Sequence, residues 1–218
     1  MFEPLARTAL ASRYRLVPID LPGFAGTPPL PVPTTLESLA DVVHETLRRE
    51  GARIVIAHSV ASIIASLAAR RQPSAIDTII SLEGNLTAAD AYFSGSAADY
   101  PTAADFRTAF LKRLDAMAKD QPVVARYREV VARADPQALW ELGCDARRFS
   151  EAQVPGEVLT KTPDVWYLYN PDNCPEATLA WLRGNPIRQL RLDDATHWAS
   201  VDQPALLSEK ILQALTAG

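Results

Sequence analysis

Cysteine is almost missing from this 218-residue chain. The only two, Cys144 and Cys174, stand in dissimilar surroundings without metal-ligand spacing, too few for a disulfide framework. Both are expected as reduced thiols, with no metal site. Long apolar runs are missing too: residues 54–57 and 62–69 fall far short of the roughly 18 needed to span a bilayer. No Lys/Arg cluster exists, and 22 basic against 26 acidic side chains leave a formal charge of -4. That balance gives a phosphate backbone nothing to hold, so nucleic acid is excluded as a partner. The first residues, MFEPLARTALASRYR, lack the apolar segment and cleavage site of a secretory signal. The expectation is a cytoplasmic protein. Histidine is limited to three positions, His44, His58 and His197, which narrows any search for a catalytic base.

What is present is the alternation of an α/β protein. At this length one core is expected, since single cores run to about 250 residues. Residues 13–20 (RYRLVPID) read as a strand, and the Pro/Gly-rich stretch 21–33 as an ordered loop. A helix follows over 34–50, opened by a capping box of Thr34 and Glu37 and stopped at Gly51. Residues 53–58 (RIVIAH) form a buried strand, 61–71 a small-residue helix, and 77–82 (DTIISL) the next strand. From 87 to 157 the grammar changes to amphipathic helices broken near Pro101, Pro122 and Pro136. Strands return at 164–169 and 187–192, around a helix at 176–182, and a last helix spans 204–215. The organisation is therefore a parallel sheet flanked by helices, built from 1–86 and 158–218, with a helical cap inserted at 87–157.

The chemistry gathers at IVIAHSVAS, residues 54–62. A strand ends in small-x-Ser-x-small and a helix begins at once, the setting of a nucleophile elbow. Such a turn is sharp, and Ala57 and Ala61 supply the room that glycines give more freely. The bland alternative for Ser59 is a helix cap. A serine nucleophile needs a base. His44 sits near the apolar face of a helix, and strand alternation is expected to send His58 away from Ser59. His197, in DDATHWASVDQP after the last strand, remains. Two carboxylates compete to orient it: Glu83 in SLEGN and Asp172 in YNPDN, both beyond strand ends at the same sheet edge. A cap and an Asx turn are their structural alternatives, and chain order does not separate them.

At these segments the sequence resembles the α/β-hydrolase family. YRLVPIDLPGFAGT is similar to the strand and loop ahead of the elbow, AHSVAS to the elbow, DATHWASVDQPALL to the catalytic-histidine segment, and the helical block to the family's cap. The resemblance implies Ser59 as nucleophile, His197 as base, the Val60 N–H as an oxyanion donor, and Glu83 rather than Asp172 as the acid. It implies a small ester, thioester or related acyl substrate selected by cap aromatics such as Phe93, Tyr100, Phe106 and Trp140. No cofactor, metal, nucleic acid or membrane is implied, and homo-oligomerisation is left open. A hydrolase-like binding or scaffold protein, or an inactive fragment, is the rival reading.

MFEPLARTALASRYR resembles the family's first helix, which there follows strands and a His-Gly loop that supply a second oxyanion donor. Without them, the expected sheet has five parallel strands, with 13–20 paired directly to the elbow strand. Acyl turnover is then expected to fall by about 10² to 10³, the cost of one missing donor.

Overall fold

The computed structural model describes residues 1–73, 75–162 and 164–217. At its centre is a parallel sheet of β1 (Ile54–His58), β2 (Thr78–Leu82), β3 (Asp164–Tyr169) and β4 (Arg188–Arg191), in that spatial order. The register sets Ile56 against Ile80 and Ile80 against Trp166. Side chains alternate across a strand, so the apolar runs divide between two faces. Ala57, Ile79, Val165 and Tyr167 pack beneath α2 (Leu36–Glu50) and α3 (Ala61–Arg71). Ile80, Leu82, Trp166 and Leu168 pack on the opposite face with Leu10 of α1 (Ala9–Arg13) and with Leu207 and Ile211 of α10 (Pro204–Thr216).

Helix α2 forms because Leu36, Leu39, Ala40, Val43 and Leu47 recur at helical spacing and are all buried. Its cap lies one residue beyond the expected one. Thr35 Oγ1 accepts from the Ser38 N–H, and Ser38 Oγ accepts from the Thr35 N–H. The expected pair is otherwise engaged: the Thr34 N–H donates to Glu141 (2.7 Å), and Glu37 pairs with Arg71. Gly51, at φ 64°, closes the helix in the left-handed region. Between α2 and α3, contact is close because α3 is rich in Ala and Ser; residues 62–69 are buried throughout.

The expected strand at 13–20 is corrected by the structure. Residue 13 ends α1, and residues 15–20 run without ladder pairing, leaving four strands rather than five among the described residues and β1 at an edge. A strand exists only where a neighbour completes its hydrogen bonds, and Pro18 has no N–H to offer. The segment is fixed by side chains instead. Arg15 donates to the Glu50 carbonyl at 2.7 Å, and Leu16 packs in the same apolar cluster as Ile56.

A second tier sits over the C-terminal ends of the strands. It comprises short 3-10 turns (Ala88–Tyr92 and Ser94–Asp99), α4 (Ala103–Met117), α5 (Pro122–Ala132) and α6 (Pro136–Ala152). Phe106, Phe110, Leu114, Val124 and Val131 form its own core, and Trp198 from the lower tier enters that core. The short α7 (Pro155–Leu159) leads back to the sheet, where Val158 and Leu159 join the α3 cluster. Beyond β3 come α8 (Glu176–Gly184) and, after β4, the short α9 (Ala199–Asp202). Among the described residues, no helix is long and apolar enough to cross a membrane.

One glycine joins the sheet edge to α3. Gly84 follows β2 by two residues, and a Cβ there would overlap the side chains of Ser62 and Ser81, which are hydrogen-bonded to each other at 2.9 Å. Gly84→Ala is expected to lower the unfolding free energy by about 1–3 kcal/mol, the usual cost of overpacking a tight site. Urea denaturation followed by circular dichroism checks this; an unchanged midpoint would show that the turn yields without cost.

Candidate active site

The site begins with two strand ends that bend in the same unusual way. At the end of β1 the Ser59 N–H donates to the Leu82 carbonyl (3.0 Å), and at the end of β2 the Glu83 N–H donates to the Leu168 carbonyl (2.9 Å). Each residue is thus a last rung of the parallel ladder. Each then turns into positive φ, 55° at Ser59 and 41° at Glu83, a region that side chains other than glycine's enter at a cost. The turn lifts both side chains off the sheet edge. At Ser59 it leads directly into α3, and the Val60 N–H, facing out from the helix start, donates to no acceptor among the described residues.

Glu83 is buried at 7% exposure, so its carboxylate needs partners. It has three. Oε2 lies 2.7 Å from His197 Nδ1, while Oε1 accepts from the Asn170 N–H at 3.0 Å and from Asn173 Nδ2 at 2.8 Å. The contact requires the proton on Nδ1 and leaves Nε2 free to face the serine. Ser59 and His197 line the same cavity, but no hydrogen bond joins them; the site is open at that point. Asp172 stands elsewhere. Its N–H donates to Asn170 Oδ1 in an Asx turn, and its side chain borders a neighbouring cavity without touching the imidazole.

The loop carrying His197 is held at several points. Asn170 Nδ2 and Asn173 Nδ2 donate to the Ala195 carbonyl at 2.8 and 3.1 Å, and the Thr196 N–H donates to Asp202. His58 supplies another tie, which the sequence reading missed. Its Nε2–H donates to the His197 carbonyl at 2.7 Å, and the two rings lie 4.4 Å apart. His58 shares its parity in β1 with Ile56, and the His197 loop packs against it. The signal was its parity with Ile56. Burial first, and then the neighbouring His197 charge, push the His58 imidazole well below its ordinary range, so it stands neutral. His44 stays apart on α2, half-buried.

Two adjoining spaces make up the cleft. A small one, about 20 Å³, is bordered by Ser59, Glu83, Asn85, Asn173, Cys174 and His197 among others. The larger, about 210 Å³, lies under α4 and α5 between Met117, Gln121, His197 and Trp198. Tyr92 and Phe93 border both. Of the aromatics expected to select substrate, only Phe93 reaches these spaces. Tyr100, Phe106 and Trp140 belong to the upper core, where Trp140 Nε1 donates to the Ala97 and Tyr100 carbonyls. Cys174 is not a rival nucleophile: burial, and then the charges of Glu83 and Asp90, push its thiol up to about 12. Among the described residues, no group of three or more His, Cys, Asp or Glu is placed to hold a metal ion.

The sequence model of the alpha/beta hydrolase family matches residues 1–210. No curated protein matches the chain. Among solved structures, an esterase from Thermogutta terrifontis superposes with a TM-score of 0.74 at 17% identity, over 99% of this chain and 84% of the other. The N-acyl homoserine lactonase AidH superposes at 0.73 with 14% identity, over 99% and 83%. An enol-lactonase from Burkholderia xenovorans LB400 gives 0.72 at 16% identity, over 99% and 85%.

The neutral state of His58 has a consequence for stability against pH. The unfolded chain binds a proton at this imidazole more readily than the folded one, so stability rises with pH across the interval between the two pKa values. The contribution is present above about pH 6.5 and is lost as pH falls from there towards the lowered folded value. His58→Gln, which can still donate to the His197 carbonyl, is expected to flatten that acid limb. Melting temperatures measured from pH 7.5 down to 4.5 for both proteins test it, and parallel curves would assign the acid loss to other groups.

Proposed function

Because the chain belongs to the alpha/beta hydrolase family, we propose that it is a serine hydrolase working through Ser59, His197 and Glu83 on a small ester, thioester or related acyl compound. One observation carries this reading: a buried carboxylate 2.7 Å from Nδ1 of a histidine that shares a cavity with a serine held at positive φ. Imidazole and carboxylate in this arrangement make a general base of fixed tautomer.

The chemistry follows from the placement. His197 Nε2 takes the proton of Ser59 Oγ as the oxygen attacks the acyl carbon. Glu83, already bound to Nδ1–H, stabilises the imidazolium that results. Negative charge developing on the acyl oxygen is met by the Val60 N–H at the start of α3, where the helix dipole adds to it. His197 then protonates the leaving group, and the acyl group stays on Ser59. Water, deprotonated by the same histidine, releases the acid and restores the serine. No cofactor enters any step, and the half-buried Cys174 thiol, held protonated, takes no part.

A fluorophosphonate probe tests the nucleophile directly. Wild-type protein is expected to be labelled, and Ser59→Ala to lose the label while keeping its circular dichroism spectrum. A folded wild-type chain that takes no label would favour a binding protein with hydrolase architecture. The acid is tested by kinetics on a chromogenic ester. Glu83→Gln is expected to lower kcat by about 10³ to 10⁴, as the loss of a tautomer-fixing carboxylate does elsewhere, while Asp172→Asn leaves it unchanged. The opposite ranking would move the acid to Asp172.

A further inference from the structure

The small space beside Ser59 contains an amide that has nothing to bind. Asn85 follows Glu83 by two residues, is 2% exposed, and has its Nδ2 buried without a hydrogen-bond partner. The polar side chains packed around it are engaged with one another or with backbone groups. Asn173 donates to Glu83 and Ala195, Tyr167 to the Gly84 carbonyl, and Cys174 to the Asn170 carbonyl. Asp90 accepts from the Leu86 and Thr87 amides and from Thr178. Other buried polar atoms in the molecule also lack partners, but among the described residues only Asn85's belongs to a side chain bordering the cleft. A leucine at this position would avoid the desolvation penalty of an unsatisfied amide. The amide is therefore of use to something that enters.

The two spaces differ in what borders them, and this gives the substrate a direction. Ser59 borders only the small one, whereas His197 borders both. The acyl group must stay bonded to Ser59 Oγ, and the leaving group must depart past the nitrogen that protonates it. The acyl group accordingly belongs in the small space with Asn85, and the leaving group in the larger one under α4 and α5. A space of about 20 Å³ holds roughly one water or one compact polar group.

The geometry points to Asn85 as a specificity-determining residue. The preferred acyl group is compact and carries a hydrogen-bond acceptor beyond its reacting carbonyl, which Asn85 Nδ2 receives. The inference rests on the serine-hydrolase reading and narrows its substrate class.

A pair of 4-nitrophenyl esters tests it, methoxyacetate and butanoate. The two acyl groups match atom for atom except that an ether oxygen, which only accepts, replaces a methylene. The measured quantity is the quotient of their kcat/KM values in each protein, so that intrinsic reactivity cancels between wild type and variants. Asn85→Leu and Asn85→Asp are both expected to lower the quotient about five- to tenfold, the worth of one neutral hydrogen bond. The second variant keeps the shape and polarity of the site should the first fail to fold. Fluorophosphonate labelling of each variant reports the nucleophile separately. Labelled variants with an unchanged quotient overturn the proposal and leave the amide to a bound water. An equal loss for both esters overturns it as well, moving Asn85 to the oxyanion. Labelled wild-type protein that cleaves neither ester overturns the compact acyl site. Wild-type protein that takes no label fails the hydrolase reading itself, and the proposal falls with it.

Discussion

A carboxylate buried at the end of β2 organises this molecule's upper edge. Glu83 has left bulk water, and a buried charge is tolerable only when its oxygens are fully engaged. The donors come from separate stretches of chain: Asn170 and Asn173 beyond β3, and His197 beyond β4. The parallel register makes this economical. Because β2, β3 and β4 point the same way, their following loops gather at one edge, and the same asparagines that satisfy Glu83 also hold the Ala195 carbonyl. Each partner positions another, so the histidine's orientation follows from several hydrogen bonds at once.

The upper helices are tied to this edge through the residue after His197. Trp198 is 4% exposed and packs among Phe93 and Tyr127. His197 thus looks down to a carboxylate while its neighbour looks up into the helical tier. From the other side, Glu141 and Asp145 of α6 accept the N–H groups of Thr34 and Leu36 at the start of α2. The two tiers are thus joined in two places, at Trp198 and at the start of α2.

How far this was legible depended on how local each cause is. Strand and helix identity over β1, α3, β2 and β3 followed from short apolar runs and small-residue spacing, because those patterns are the physical cause of the element. The segment at 15–20 misled for the opposite reason. Its composition suits a strand, but pairing is a property of the neighbour, and no neighbour is in register there. Thr34 against Thr35 was a similar miss, decided by Glu141, distant in sequence. At the candidate site, Ser59 and His197 stood out through context and scarcity. Glu83 and Asp172 stayed equivalent on residue patterns alone, since what separates them, the contact of Glu83 with His197 and the Asx turn that holds Asp172, arises only in the fold. The partner of His58 was not legible at all, because it lies on a loop 139 positions away.

The border position of β1 bears on how such a site would age. Interior strands are clasped from both sides, and opening them requires breaking two ladders; the serine's strand is clasped only by β2. Glu83 hangs from interior β2, while Ser59 hangs from one margin of the sheet and His197 from the loop beyond the other, β4. Fraying at either margin breaks one ladder only, and would shift Ser59 and His197 relative to each other while β2 and β3 stay paired. Ser59 and His197 thus share one cavity while hanging from opposite margins of the same sheet.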